Sequence, residues 1–399
     1  MRRLFLGNFH FESELAVARG WNPAASLQRM SAERAPSWIA LAEEGDLIWT
    51  PEPIADPFWE SLAAQGLPRV CSLSEPPQGE FELVPWGWSP RSRLLGCRTP
   101  QPSDESVRLG NSREWSFELE QQLGVALPGA ARIERIEEIA DVVRRSASQF
   151  GESESEHAWV IKANFGMAAR ERVLGRGPTM TIANERWLQR RLQSDGTVFY
   201  EPWLRRRAEV GIQWTLPKSG HGQPELLGIT PLLTDNQGGY RGSEFSLDSS
   251  IPTEWQCAVD VSQQAALRLQ QLGYFGPLGI DAAIYEDSTG RSLARPLQDI
   301  NARYTMGRLA LGFRRLLRPS ERGVWQHGRR DEWACDMTRE IELTPQWIGD
   351  RPPIHSSRVL IREVSNGETN SRAASFSSCG EGLRLAESTV FPAQSMANA

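Results

Sequence analysis

Three polar residues near position 300 have types and a spacing that could hold a metal ion and a phosphate. Asp299, Asn301 and Arg303 occupy every second position, and side chains at alternate positions of a strand project from one face. Carboxylate and amide oxygens without His or Cys suit a hard cation such as Mg²⁺, which keeps waters and shares phosphate oxygens. The planar guanidinium of Arg303 suits a phosphate or a carboxylate.

A strand that pairs with this segment would bring a further carboxylate to the same place. Residues 277–285 and 296–307 are both strand-like, and the turn between them favours an antiparallel hairpin. Asp281 would then lie across the ladder from Asp299, in strands about 4.8 Å apart. The alternative is an edge hairpin whose acidic side chains are simply solvated.

A single lysine opens a second candidate site. The chain has 44 lysines and arginines, and only two of them, Lys162 and Lys218, are lysines. Lys162 lies near the end of a strand-like segment that runs into a loop of small residues, including Gly166, and the glycines resume at residues 175–178. Approachable backbone amides and a compact positive charge suit anionic phosphate oxygens. Strand–lysine–glycine arrangements are common, so this signal is weak by itself.

The segment after residue 197 could recognise a purine. Pro202 lacks an N–H and fixes φ, so the Glu201 carbonyl and the N–H of Trp203 or Leu204 can point the same way. An acceptor beside a donor matches the edge of an adenine. A strand that runs into a linker would have the same sequence pattern.

A glycine-rich stretch at residues 234–243 contains Tyr240 and Arg241. Its composition is typical of a mobile lid that closes over a site and places a cation above phosphates. A plain hairpin tip is the alternative interpretation.

Composition limits the classes of function. A chain of 399 residues predicts two or three domains, and its net charge of −6 gives no electrostatic reason to expect nucleic acid. No apolar run approaches the length of a membrane span, and the apolar run at the start is too short for a signal peptide. Five scattered cysteines without a CxxC pair favour reduced thiols. We therefore expect a cytoplasmic protein that binds neither membranes nor nucleic acid.

The elements that must position these residues fall into four regions. Residues 1–110 alternate strands with helices, which predicts an open α/β layer. Residues 111–196 carry two helices, the Lys162 strand and a further helix capped by Thr181, and residues 197–320 carry the acidic hairpin. Residues 321–399 are expected to form a partly flexible extension, with a helix within residues 324–340 and a flexible stretch at residues 366–380.

The order of these motifs resembles the ATP-grasp superfamily over about residues 111–315. The resemblance implies an α/β (α+β) fold in which an N-terminal open α/β layer precedes two α+β subdomains that sandwich the nucleotide. The site residues it implies are Lys162 and Gly166 for the ATP phosphates, Glu201, Trp203 and Leu204 for adenine, Glu209 for ribose, Asp281, Asp299 and Asn301 for Mg²⁺, and Arg303 for catalysis. Arg241, from the glycine-rich stretch, is the other candidate catalytic residue. Asp299 stands where the family more often has Glu, and Met167 and Arg170 stand where more glycine is usual.

The function implied by this resemblance is an ATP-dependent ligase that joins a carboxylate to an amine through an acyl phosphate. Its cofactors would be ATP and Mg²⁺, with Mn²⁺ as an alternative ion, and its substrates a small or peptide carboxylate and an amine. A homodimer is left open. A kinase on the same scaffold and a nucleotide-binding regulator without turnover remain as alternatives.

Overall fold

The computed structural model describes residues 1–17, 21–75, 77, 79–96, 98–166, 170–328 and 338–364. Residues 1–363 form one compact unit, which contains every element below. No helix within the described ranges is both long enough and apolar enough to cross a membrane. Of the cysteines, Cys71 and Cys257 are exposed free thiols, and the other three lie outside the described residues.

The first 110 residues form the N-terminal sheet, as their alternating pattern predicts. Its strands are all parallel and lie in the order β3-β2-β1-β4. The elements are β1 (Arg3–Leu6), α1 (Phe11–Ala16), α2 (Ala25–Arg34), β2 (Leu47–Trp49), α3 (Asp56–Ala64), β3 (Cys71–Leu73), β4 (Glu82–Pro85), α4 (Pro90–Leu95) and α5 (Asp104–Gly110).

The next region forms the middle sheet, which carries Lys162. Its strands are antiparallel and lie in the order β5-β8-β6-β7. The predicted cap is confirmed, because the Thr181 hydroxyl accepts a hydrogen bond from the Asn184 N–H. The elements are α6 (Arg113–Gln122), β5 (Ala131–Ile133), α7 (Ile139–Phe150), β6 (Ala158–Ala163), β7 (Arg172–Arg176), α8 (Ile182–Asp195) and β8 (Val198–Pro202).

The rest of the unit forms the large sheet, which carries the acidic hairpin. Its strands are antiparallel and lie in the order β13-β12-β9-β10-β11-β14-β16-β15. The elements are β9 (Arg205–Leu216), β10 (Glu225–Thr234), β11 (Tyr240–Ser246), α9 (Gln256–Gln271), β12 (Gly276–Glu286), β13 (Ser292–Asn301), α10 (Met306–Gly312), β14 (Glu321–Gly328), β15 (Arg339–Glu342) and β16 (Ser356–Glu363).

A single apolar core joins the N-terminal and large sheets. Trp38, Leu269 and Phe313 are fully buried in it, from the N-terminal region, α9 and the segment after α10. The middle sheet has a smaller core around Trp159 and Tyr200. The three sheets thereby hold their polar edges around a common space.

The predicted helix within residues 324–340 is wrong where the structure describes it. Residues 321–328 form β14 instead, which pairs with β11 on one side and β16 on the other. Trp325 is fully buried and donates through Nε1 to the Ser357 hydroxyl at 2.9 Å. Pairing with strands remote in sequence overrides the local pattern here. Strands β14–β16 extend the large sheet and are therefore not a separate extension, whereas the flexible stretch predicted at residues 366–380 lies outside the described residues.

Candidate active site

A cavity of about 620 Å³ lies where the three sheets meet. Its walls include side chains from the N-terminal, middle and large sheets. The structure brings every predicted site residue to this cavity, although they come from segments far apart in the chain. They are Lys162, Gly166, Glu201, Trp203, Leu204, Glu209, Arg241, Asp281, Asp299, Asn301 and Arg303.

The acidic hairpin is confirmed. Strands β12 and β13 are antiparallel, and Asp281 lies directly opposite Asp299. Burial and then the charge of Asp299 raise the pKa of the Asp281 carboxyl to about 7. Asn301 donates from Nδ2 to Asp281 at 3.4 Å, so the amide turns its nitrogen towards that carboxylate.

This donor set fits Mg²⁺. Two carboxylates lie opposite each other in a partly enclosed space, and burial and then the charge of Asp299 raise the pKa of Asp281, so a bound cation would favour its ionised form. Within the described ranges no group of three or more His, Cys, Asp or Glu side chains could hold a metal. A cation bound here would therefore complete its shell with water or phosphate oxygens, as Mg²⁺ ordinarily does.

Replacing Asp281 by Asn is expected to raise thermal stability at pH 8 without divalent cations. Since the pKa in the folded protein is raised from 3.8 to about 7, the wild type loses stability as the pH rises through that interval. The variant lacks this loss, so its melting temperature should exceed that of the wild type by about 2–5 °C at pH 8. Melting curves in EDTA from pH 4 to pH 8 test this. A difference that does not shrink towards pH 4 would contradict it.

Arg303 lies beside the Asp281–Asp299 pair, and contacts with the N-terminal region hold it there. Its Nε donates to Glu12 Oε1 at 2.6 Å, and its Nη2 donates to Asn301 Oδ1 at 2.7 Å. The guanidinium also lies 5.5 Å from the ring centre of Trp86. These contacts fix the orientation of the guanidinium while it lines the cavity. Glu12 is a residue that sequence reasoning missed, because its segment carries no motif.

Lys162 and Glu201 form an ion pair in the wall of the cavity. Lys162 Nζ donates to Glu201 Oε2 at 2.8 Å, and Arg295 Nη1 donates to the same oxygen at 2.8 Å. Although burial alone would raise it, the charges of Arg295 and Lys162 hold the pKa of Glu201 well below its usual range. Burial lowers the pKa of Lys162 despite the opposing charge of Glu201. The Glu201 carboxylate therefore positions Lys162.

The predicted contacts to the edge of adenine need one correction. The Trp203 N–H donates to the Ala158 carbonyl at 2.8 Å, so it is used within the sheet and is not free for a ligand. The Leu204 N–H has no hydrogen-bond partner in the part of the chain that the structure describes. The Trp203 ring faces the guanidinium groups of Arg172 and Arg206, at 5.6 and 4.6 Å from its centre. Leu204 thus remains the candidate donor.

Glu209 is a buried carboxylate with three partners. It accepts hydrogen bonds from Arg206 at 2.9 Å, Thr234 at 2.6 Å and Gln298 at 3.0 Å. Burial opposes ionisation, yet the Arg206 charge and these hydrogen bonds lower its pKa. Glu209 is ionised and fixed in place, as an acceptor for ribose hydroxyls must be, and its role towards ribose stays a prediction.

The glycine-rich stretch at residues 234–243 is a hairpin tip that lines the cavity, and its role as a lid stays a prediction. Residues 235–239 form the turn, and Arg241 already lies in β11. The Asp235 carboxylate accepts hydrogen bonds from the Gly239 N–H at 2.7 Å and from Arg241 Nε at 3.1 Å. Local hydrogen bonds to this one aspartate order the turn.

The glycine loop after Lys162 is shorter than predicted. Residues 172–176 form β7, and a Cβ on Gly175 would lie 2.0 Å from the Trp159 ring. Gly175 is therefore required for packing against an indole and not for a phosphate. Gly166 lines the cavity, and residues 167–169 lie outside the described residues.

Several acidic and basic residues of the cavity were missed from the sequence, and most of these are arginines. Arg295 occupies the same alternation as Asp299, which is a signal that could have identified it. Arg113 Nη2 lies 3.5 Å from Asp299 Oδ2 but follows no recognisable pattern. In a chain whose basic residues are nearly all arginine, such residues do not stand out.

No protein-family model matches the sequence, and no curated protein matches it. Solved structures do match. The biotin carboxylase domain dimer of 2-oxoglutarate carboxylase from Hydrogenobacter thermophilus, in complex with MgADP, ADP and bicarbonate, is 11% identical over 91% of this chain and 86% of its own, with a TM-score of 0.51. Biotin carboxylase from Campylobacter jejuni is 10% identical over 91% and 87%, with a TM-score of 0.50.

A third match is N5-carboxyaminoimidazole ribonucleotide synthetase from Thermus thermophilus. It is 14% identical over 91% of this chain and 94% of its own, with a TM-score of 0.49. At these identities the two biotin carboxylase structures are informative about the fold alone. Their likeness extends over 91% of the chain. The chain therefore has the ATP-grasp fold.

Proposed function

We propose that the protein is an ATP- and Mg²⁺-dependent ligase that joins a carboxylate to an amine. The observation that carries the proposal is the cavity itself. In an ATP-grasp fold it combines two carboxylates that lie opposite each other in the hairpin, Asp281 and Asp299, with the partly buried Lys162 and with Arg303. The nucleotide complexes of the similar biotin carboxylase structures support ATP as the ligand.

The nucleotide would be held by residues of the middle and large sheets. Lys162 and Gly166 would bind the phosphates, the Leu204 N–H would donate to adenine, and Glu209 would accept from the ribose. Asp281, Asp299 and Asn301 would hold Mg²⁺. The Asn301 oxygen accepts a hydrogen bond from Arg303 and has a second lone pair for a cation. Bound Mg²⁺ would neutralise charge on the phosphate oxygens.

The reaction would then proceed in two steps. An oxygen of the substrate carboxylate attacks the γ-phosphorus, the bond to the β-phosphate oxygen breaks, and ADP leaves an acyl phosphate. The amine nitrogen attacks the acyl carbon, phosphate leaves, and the nitrogen loses a proton. Arg303, fixed by Glu12 and Asn301, would stabilise the negative charge that develops in both steps.

Hydroxylamine trapping separates the ligase from a kinase. We expect ADP and free phosphate to form together only when both an acid and an amine are supplied, because an acyl phosphate must be protected from water until the amine arrives. With the acid alone, hydroxylamine should convert the acyl phosphate into a hydroxamate, which is measured by colour with iron(III) or by mass. A phosphorylated alcohol that resists hydroxylamine would establish the kinase. Absence of any ATP turnover would favour the regulator.

Replacing Arg241 by Ala is expected to weaken the coupling of ATP hydrolysis to bond formation. Arg241 lines the cavity and would help to shield the intermediate from water. Phosphate released per bond formed should rise about tenfold, corresponding to one lost charged contact. Arg207→Ala is the matched control, since Arg207 pairs with Glu286 outside the cavity. Equal coupling in the two variants would remove Arg241 from the proposal.

A further inference from the structure

One wall of the cavity is formed by elements that the proposed chemistry does not use. It includes the end of α2, Tyr240 of β11, His327 of β14 and the segment just before β16. Arg34, the last residue of α2, is partly buried and lines the cavity there. It makes no hydrogen bond or ion pair with any residue that the structure describes.

Other arginines of the cavity differ from Arg34 in this respect. Within the described residues, six have a carboxylate partner. These are Arg29 with Glu33, Arg113 with Asp299, Arg206 with Glu209, Arg241 with Asp235, Arg295 with Glu201 and Arg303 with Glu12.

The neighbouring carboxylate does not neutralise Arg34. Glu33 is buried, and it accepts hydrogen bonds from Arg29 Nε at 3.1 Å, from the Ile354 N–H at 2.8 Å and from His355 Nδ1 at 3.2 Å. Those contacts join α2 to the segment before β16. The Glu33 carboxylate is thus used to join α2 to the segment before β16. The guanidinium of the adjacent Arg34 has no carboxylate partner among the described residues.

A second arginine of the cavity, Arg170, acts electrostatically on Arg34. Burial and then the charge of Arg170 lower the pKa of the Arg34 guanidinium, while Tyr240 and Glu33 act in the opposite direction. Arg170 also lines the cavity and has no ion pair among the described residues. Arginine stays charged in proteins, so two guanidiniums facing a shared, partly enclosed space repel each other. An anion between them removes this repulsion and can accept paired hydrogen bonds from either fork.

We propose that Arg34, together with Arg170, binds a carboxylate of the substrate other than the one that reacts. One of the two substrates is accordingly a dicarboxylic acid, or an amino acid or peptide with a free carboxylate. This rests on the proposed ligase function. Lys162, Gly166 and Leu204 lie on the middle sheet and beside it, and Arg170 precedes β7 of the same sheet, whereas Arg34 reaches the cavity from α2 and so separates this site from the phosphate site.

The test uses pairs of probes that differ only in one carboxylate. Full-length protein with Mg²⁺ and a non-hydrolysable ATP analogue is titrated calorimetrically with succinate and succinamate, with L-glutamate and L-glutamine, and with dipeptides and their C-terminal amides. We expect at least one acid to bind more tightly than its amide, by about tenfold or more. The succinate pair reports a carboxylate on the acid substrate, and the dipeptide pairs report one on the amine substrate.

Arg34→Gln should weaken binding of that acid to the level of its amide and leave the affinity for the ATP analogue within about twofold. Arg34→Lys should restore part of the preference, because it keeps the charge but loses the planar fork. Arg190→Gln, which removes an exposed arginine of α8, is the control and should bind like the wild type.

Three results would overturn the proposal. The first is equal binding of every acid and its amide by the wild type. The second is an unchanged preference for the acid in Arg34→Gln. The third is a loss of affinity for the ATP analogue in Arg34→Gln that equals its loss of affinity for the acid. The last result would assign Arg34 to the nucleotide phosphates. Because binding is measured without turnover, failure of the ligase reaction in the hydroxylamine assay is a separate outcome. If Arg34→Gln does not fold, the acid and amide comparison on the wild type decides.

Discussion

Replacing Asp299 or Asp281 by Asn is expected to abolish turnover while leaving the protein folded. The two carboxylates lie opposite each other on β12 and β13 and would together hold Mg²⁺. Loss of one removes a ligand and a negative charge, and metal ions contribute several kcal/mol of transition-state stabilisation in such reactions. We therefore expect kcat to fall by about 10³-fold or more. Steady-state ADP release at millimolar Mg²⁺ measures this effect.

Asp287→Asn is the matched control for both variants. Asp287 lies in the turn of the same hairpin, where its carboxylate accepts hydrogen bonds from the Thr289 and Arg291 N–H groups. Asparagine also favours such turns, so folding should be retained and activity should be that of the wild type. Full activity of Asp299→Asn or of Asp281→Asn would exclude the hairpin as the metal site.

Replacing Lys162 by Met is expected to lower the affinity for ATP by about 1.5–3 kcal/mol, the range of a charge-assisted hydrogen bond. This corresponds to a roughly 10- to 150-fold increase in Kd. The substitution keeps most of the side-chain length and removes the charge. Glu201 stays paired with Arg295 at 2.8 Å, so the variant does not leave a buried carboxylate without a partner. Calorimetric titration with ATP and Mg²⁺ gives the affinity directly.

Lys218→Met tests whether any lysine would give the same result. Lys218 Nζ lies 5.0 Å from the ring centre of Phe275, and the residue is not in the cavity wall. Its removal should leave ATP binding unchanged. If Lys162→Met binds ATP as tightly as Lys218→Met does, Lys162 has no phosphate contact.

The N-terminal region contributes to the site through long-range contacts with Arg303 as well as through its part of the wall. Glu12 of α1 accepts from Arg303, and its other carboxylate oxygen is buried without a partner among the described residues. Burial raises the pKa of Glu12, against the effect of the Arg303 charge. The orientation of a predicted catalytic arginine thus depends on a region that carries no motif.

The sequence by itself determined the features that depend on neighbouring residues. Alternation and a short turn predicted the Asp281–Asp299 hairpin, because side chains change face at each strand residue and a hairpin sets its own register. Lys162 was identified by its rarity and by the strand that carries it. The open α/β layer at the N-terminus and the helix capped at Thr181 likewise follow from local patterns. The hairpin, this layer and the cap are confirmed, whereas the role of Lys162 towards ATP phosphates stays a prediction.

Only the tertiary structure decided which charges meet. Glu201 pairs with Lys162 and Arg295, which are 39 and 94 residues away, and Arg303 pairs with Glu12 at a separation of 291 residues. Strand β14 was mistaken for a helix because its partners, β11 and β16, are remote, and the unpaired Arg34 could not be distinguished from many other arginines. Ion pairs and strand pairing are contacts in space, and a local sequence pattern carries no information about which distant segment will provide the partner.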